Sequence, residues 1–319
     1  MKKFIGFLGI PLLASMVFMA CTSSVTRPSE VIFTSENLFP EGVAALPDGS
    51  GFLVSSLTKG TLGKVDWEGN YTLWATHPTL VSTFGIKVDA ARGLVFVANG
   101  DPGISEKRDS GATPAKMAGL GIFRLKDAGF VKYIDLAELA GDEGGHVAND
   151  MVISPNGDVY ITDSFSPIIY KVDRDFQASI FVRNEEHWSG EGFSLNGLIY
   201  DNGYLVVLKY NSGELFRVST ENPEDIHRIP LANPILGADG AVLADNKLYI
   251  SAGMSHNKLY VFESGDQWNS VNVLDTKDLA ANVTPTTITS LGSQVYFIDA
   301  KLDTLFSGGS EQVFSISAY

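Results

Sequence analysis

A chain of 319 residues with a formal net charge of −14 and no clustered acidic tail is a poor partner for nucleic acid or an anionic membrane surface. Its single cysteine excludes an internal disulfide and a thiolate metal site. With 32 glycines, and with β-branched and aromatic residues spread throughout, the composition is that of an all-β protein with many turns.

The first element is a targeting segment. Lys2 and Lys3 precede an apolar or small run from Phe4 to Ala20, and Cys21 follows at once. A charged start, a short apolar stretch and a small residue before Cys form the pattern of a bacterial lipoprotein signal, in which the Cys thiol is acylated after cleavage. The run contains Pro11 and is shorter than the roughly 20 residues that a spanning helix needs. Residues 1–20 are therefore expected to be a signal peptide and Cys21 the lipidation site. Residues 21–29 form a polar tether and residues 30–319 the folded domain. The expected location is the cell envelope, at the outer membrane or the periplasmic face, with membrane contact only through the lipid.

The folded part is built on an internal repeat. An apolar run, a turn and a second apolar run follow each of six residue pairs. These pairs are Glu41-Gly42, Phe84-Gly85, Asn149-Asp150, Asn196-Gly197, Asp239-Gly240 and Thr286-Thr287. The spacings are 43, 65, 47, 43 and 47 residues. Each copy carries a third strand, such as TLGKVD after Gly60 or ELFRVS after Gly213, and five carry a fourth, such as YTLWAT. Four-strand units of about 45 residues are propeller blades. The sixth copy lacks its last strand, and Glu30-Val31-Ile32-Phe33-Thr34 at the other end of the domain can supply it. The predicted fold is an all-β, six-bladed propeller of four-stranded blades, closed by an N-terminal strand that removes the exposed edge. The surplus of the second copy lies in 101–120, a polar Gly/Pro/Ser segment expected to form a long surface loop over one face.

The first residue of each copy begins the strand nearest the axis, so Glu41, Phe84, Asn149, Asn196, Asp239 and Thr286 face one another across the channel. Four of them carry carboxylate or amide oxygens. Ca²⁺ takes six to eight oxygen ligands, and two carboxylates with two neutral amides match its charge. The five histidines show no paired spacing for Zn²⁺. Glu41, Asn149, Asn196 and Asp239 are thus candidate ligands of a divalent cation, Ca²⁺ first. Asn-Gly and Asp-Gly are also turn dipeptides, but turn chemistry does not place them at one repeat phase.

With these residues in place, the chain resembles the senescence marker protein (regucalcin)/gluconolactonase family. It is similar, more distantly, to diisopropylfluorophosphatase and the paraoxonases. The likeness is carried by Glu41-Gly42, Asn149-Asp150 followed by SPNGDVYITDS, Asn196-Gly197 and Ala238-Asp239-Gly240, and spans residues 30–319. It implies an axial divalent cation, usually calcium, and hydrolysis of lactones or related esters. By that resemblance Glu41, Asn196 and Asp239 are metal ligands, and Asn149 is either a fourth ligand or a substrate contact. Asp239 or Asp150 would activate or orient water. The gluconolactonases carry an Arg two residues before the third-blade Asn, where this chain has Val147 beside His146. That departure counts against a sugar-acid lactone and leaves a more apolar substrate open.

His146 is a further candidate base, provided that it reaches the cavity, and His187 and Trp188, in the connection before Asn196 with Glu186 and Glu191, are candidate roof residues. Asn99, Asp163, Ser164, Lys209 and Tyr210, at the ends of second strands, are expected to be structural. No Gly-x-Ser-x-Gly elbow is present, which argues against Ser-His-Asp chemistry. Two functions stay open: a metal-dependent lactone or ester hydrolase acting on a small molecule, and an envelope-tethered binding or scaffold propeller without catalysis.

Overall fold

The computed structural model describes Met1 and residues 27–141 and 144–319. Residues 2–26, which hold nearly all of the expected signal peptide, Cys21 and most of the expected tether, lie outside the described residues. No helix among the described residues is long and apolar enough to cross a membrane.

Six four-stranded antiparallel sheets form the domain. Blade one, for example, runs Val43–Ala45, Gly51–Val54, Thr61–Asp66 and Tyr71–Thr76 from the axis outward. Blade six runs Pro285–Leu291, Gln294–Asp299 and Val313–Ala318 and takes Glu30–Thr34 as its outer strand. The pairing is in register from Glu30 opposite Ser317 to Thr34 opposite Val313. Alternation in EVIFT explains the fit: Val31 and Phe33 enter the core while Glu30, Ile32 and Thr34 face out. Phe33 packs against Phe314 and Tyr71 at ring separations of 5.9 and 6.2 Å, so the borrowed strand ties blade six to blade one. The ring closure expected from sequence is present.

The first strands share one irregularity. In blades two to six the pairing slips at the repeat's first pair of residues: between Thr83 and Ile86, Ala148 and Met151, Leu195 and Leu198, Ala238 and Ala241, and Pro285 and Ile288. An extra residue on one strand is a β-bulge, which bends the strand and re-aims a side chain. Here it turns the repeat's first side chain toward the axis.

The residue after each axial position packs against the axial backbone of the next blade. A Cβ on Gly42 would lie under 3.0 Å from the Phe84 carbonyl oxygen; the same holds for Gly85 and Asn149, Gly197 and Asp239, and Gly240 and Thr286. Blade three has Asp150 at this position, and the Thr162 hydroxyl reaches the Asn196 carbonyl at 2.8 Å instead. Blade six uses Thr286 and Thr287 to meet the Glu41 carbonyl. Six axial carbonyls are therefore held by their neighbours all round the ring. The glycines recur because backbone meets backbone there.

Candidate functional site

Glu41, Asn149, Asn196 and Asp239 come together, as the repeat phase predicts, and form the floor of one cavity on the axis. Phe84 joins them. Thr286 does not line it, because its hydroxyl is used on the Glu41 carbonyl at 2.7 Å. All four polar residues are almost completely buried.

Their hydrogen bonding is incomplete in a patterned way. The Asn149 amide nitrogen donates to Ser164 Oγ at 2.8 Å, and Ser164 donates to the Leu195 carbonyl at 2.7 Å, which leaves Asn149 Oδ1 buried with no partner. The Asn196 amide bonds the Asp239 carboxylate, and its own Oδ1 is likewise orphaned. Glu41 Oε2 is the third orphan. Buried polar atoms are rarely left unsatisfied, so three acceptors at one point require a donor or a cation.

The electrostatics agree. Burial, then the neighbouring charge of Asp239 and that of Asp150, hold the Glu41 carboxyl well above the usual range, while Lys87 works the other way. Asp239 is pushed up to about 8 by burial and by Asp150, with the Asn196 hydrogen bond opposing. Carboxylates crowded in a low-dielectric site resist joint ionisation. A divalent cation among them would remove that cost, and a set of two carboxylates and two amide oxygens suits Ca²⁺. No group of three or more His, Cys, Asp or Glu side chains arranged for a metal occurs among the described residues; the set here depends on its two asparagines.

The remaining sequence candidates lie elsewhere. Asp150 is not among the cavity residues. Its side chain pairs with Lys87 at 3.0 Å, and Lys87 enters from the funnel at the opposite end of the channel. Asp150 therefore reaches the site by charge and not by contact. His146 does not line the cavity either. Its Nδ1 lies 3.1 Å from Asp163 Oδ2 and 3.0 Å from Ser166 Oγ, and its Nε2 lies 3.2 Å from the Gly141 carbonyl. The Asp163 hydrogen bond raises its pKa, against burial. Both ring nitrogens are engaged in bracing the loop, so the expected base role has no geometry. Val147 is a core residue beside it.

The expected roof residues His187 and Trp188 do not line the cavity. Trp188 is fully buried in the core between blades, edge-on to Phe216 at 6.4 Å. The His187 ring also packs on Phe216, at 5.5 Å, and its carbonyl accepts from Lys209 at 2.7 Å. The same connection does reach the cavity, but through Phe193. The blade-two loop contributes Pro102 to the wall and is tied down by an Arg108–Asp101 ion pair at 3.0 Å and by Ser105 on the Thr58 carbonyl at 3.0 Å.

Tyr210 departs from its expectation in the opposite sense. Expected to be structural, it lines the cavity, as do Leu57, Met254, Leu302 and Phe306. The signal was present in the repeat: Leu57, Pro102, Tyr210, Met254 and Leu302 each lie within three residues of the end of a second strand. Once the copies are aligned, that loop phase marks the wall. Asn99, Asp163, Ser164 and Lys209 are absent from the wall and make the hydrogen bonds of structural residues.

Fold and site together define a six-bladed β-propeller with an oxygen-lined cavity on its axis. Solved structures of similar shape include the major Malassezia sympodialis allergen Mala s 1, at 15% identity and TM-score 0.73, covering 92% of this chain and 96% of that one. A luciferin-regenerating enzyme matches at 12% identity and TM-score 0.62 over 90% and 95% of the two chains. Virginiamycin B lyase from Staphylococcus aureus matches at 14% identity and TM-score 0.59 over 84% and 80%. At these identities the likeness is one of fold, and the fold hosts several chemistries. No protein-family profile and no curated protein sequence matches the chain.

Proposed function

We propose that this propeller is a divalent-cation-dependent hydrolase of lactones or related esters, with Ca²⁺ as the preferred ion, in the manner of the gluconolactonase-like proteins that its sequence resembles. One observation carries the proposal. Three buried oxygens without partners, on Glu41, Asn149 and Asn196, share a cavity with a carboxyl, Asp239, that its surroundings discourage from ionising.

When bound, the ion would supply Lewis-acid stabilisation to the oxyanion that develops as an acyl group is attacked. The chain's own groups do the rest. Glu41, Asn149 and Asn196 hold their oxygens on the axis, the amides fixed by Ser164 and Asp239. Asp239 is the carboxylate on the cavity floor available to take a proton from water. Water oxygen bonds to the acyl carbon, the acyl–oxygen bond breaks, and the proton passes to the departing alkoxide. A lactone thereby yields one hydroxy acid. Asp150, paired with Lys87, sets the field beneath. Export and anchoring through Cys21 belong to the same proposal and would place the activity in the cell envelope.

The test is turnover of a panel of lactones and aryl esters, with Ca²⁺ and with chelator. Loss of activity on chelation and its return with Ca²⁺ are expected. Activity indifferent to chelation would reject the ion's role. Ca²⁺-dependent melting with no turnover on any substrate would make the chain a binding propeller.

A further inference from the structure

The walls above the oxygen floor specify what can enter. Phe84, Leu302 and Leu57 are almost fully buried at its base, while Phe193, Met254 and the exposed Phe306 stand higher. No Lys, Arg or His among the described residues lines the cavity. With a divalent ion on the floor, its charge is already matched by Glu41 and Asp239, so a carboxylate or phosphate on the ligand would bring surplus negative charge with no basic side chain among the cavity residues to compensate. A polyhydroxylated ring would exchange water for hydrocarbon at most of its hydroxyls.

One neutral donor is present. Tyr210 stands on the wall, half-buried, flanked by Phe193 at a ring separation of 6.3 Å. Its hydroxyl makes no hydrogen bond to another described residue and is open to the cavity, so it is free to meet a ligand. Burial, with the charges of Asp239 and Asp303, raises its pKa, so it stays a phenol and can donate. Its backbone is fixed on both sides: the NH donates to the Ser194 carbonyl at 2.7 Å and the carbonyl accepts from Gly237 at 3.1 Å.

We propose that the cavity takes an uncharged carbonyl compound with an apolar body, an alkyl- or aryl-substituted lactone or ester, and that Tyr210 donates to one of its oxygens. The body packs on Phe84, Leu302 and Met254, and the oxygen end points to the floor. The inference rests on the hydrolase proposal for its choice of carbonyl, and binding can be separated from turnover by ligands that resist hydrolysis.

Calorimetry on the Ca²⁺-loaded full chain, with δ-lactams in place of lactones, provides that separation. A pentyl-substituted δ-lactam is expected to bind at least tenfold more tightly than polyhydroxylated gluconolactam, with about a fourfold gain per added methylene over the first few. Tyr210→Phe should weaken the alkyl lactam about fivefold to tenfold while leaving Ca²⁺ affinity within twofold. Phe306→Ser, at an exposed position that tolerates change, should weaken the alkyl lactam but not gluconolactam. Tighter binding of gluconolactam, or of tetramethylammonium drawn to the carboxylates and aromatic rings, would overturn the inference, as would failure of both lactams to bind. An alkyl lactam that binds as stated, with no turnover of the matching lactone, would support the ligand class and refute the hydrolase.

Discussion

Thr286 Oγ1 donates to the backbone carbonyl of Glu41 at 2.7 Å, joining residues 245 apart in sequence and closing the inner ring between blade six and blade one. Five glycine- or hydroxyl-mediated contacts of the same kind precede it round the axis, but this one secures the residue that presents an orphaned carboxylate oxygen. Thr286→Val keeps shape and removes the donor. A lost buried hydrogen bond costs ~1 kcal/mol. The expected result is a lower melting temperature and about fivefold weaker Ca²⁺ binding by calorimetry, with the fold retained by circular dichroism.

Gly240 tests the ring from the other side. A Cβ there would lie under 3.0 Å from the Thr286 carbonyl oxygen and from backbone atoms of Thr287 and Ile288. None of these is a flexible side-chain end, so the strain must move a strand. Gly240→Ala should destabilise by about 2–3 kcal/mol or more, measured by urea denaturation. Gly265→Ala, with nothing near its Cβ, is the control and should stay within ~0.5 kcal/mol.

This glycine shows how far the sequence could be read. Repeat phase alone identified six blades, the borrowed strand Glu30–Thr34 and the four floor residues, because a blade must return to the axis once per copy. The reason for the glycines did not follow. As dipeptides, Asn196-Gly197 and Asp239-Gly240 resemble turns, whereas they sit inside strands at bulges where two backbones nearly touch. His146, His187 and Trp188 drew attention by chemical type. Their side chains are consumed by Asp163, by Phe216 and by the core, contacts that depend on neighbours in other strands and blades. Tyr210 lies on the wall because the wall is built at the ends of second strands, a phase visible only after the copies are aligned, whereas Phe306 comes from the short helix Leu302–Phe306, which no repeat signal marks.

The crowded carboxyls give a pH signature with a definite sign. The pKa of Asp239 in the fold is about 8, above the usual ~4 of an unfolded aspartate, and that of Glu41 is also raised. A group that holds its proton more tightly when folded contributes stability that is complete below pH ~4 and lost as pH rises through about 8. Without cation, the melting temperature should therefore fall between pH 5 and pH 8. Saturating Ca²⁺ should flatten that fall and raise the melting temperature more at pH 8 than at pH 5, as followed by scanning calorimetry. Equal Ca²⁺ effects at both values would remove these carboxyls from the ion's site.

Asp239→Asn separates stability from function. The substitution keeps volume and removes a charge that burial and Asp150 oppose. Cation-free protein should melt at the same temperature as the parent or higher, above pH 7. Ca²⁺ stabilisation should be lost, and turnover of any accepted substrate should fall at least 100-fold, the scale expected when a proton acceptor is removed. A residue that served the fold alone would show the opposite pattern, lower stability with activity intact.

Lys87 acts on Glu41 by charge from beneath the site, and its removal has two consequences that oppose each other. It reaches from the far funnel to Asp150 at 3.0 Å, and Asp150 is almost fully buried with no other cation bonded to it among the described residues. Lys87→Met leaves that carboxylate unpaired, at a cost of about 3–5 kcal/mol when one partner of a buried pair is lost. At the same time Glu41 loses the one charge that favours its ionised form. The cation-free variant should therefore melt well below the parent. With the carboxylates of Glu41, Asp150 and Asp239 no longer offset, Ca²⁺ has more charge to neutralise, so its binding should tighten by about tenfold and restore much of the lost stability. Calorimetric titration and melting with and without Ca²⁺ read both effects. A variant equally destabilised in the two conditions would show that Lys87 props the channel mechanically and does not set the charge of the axial site.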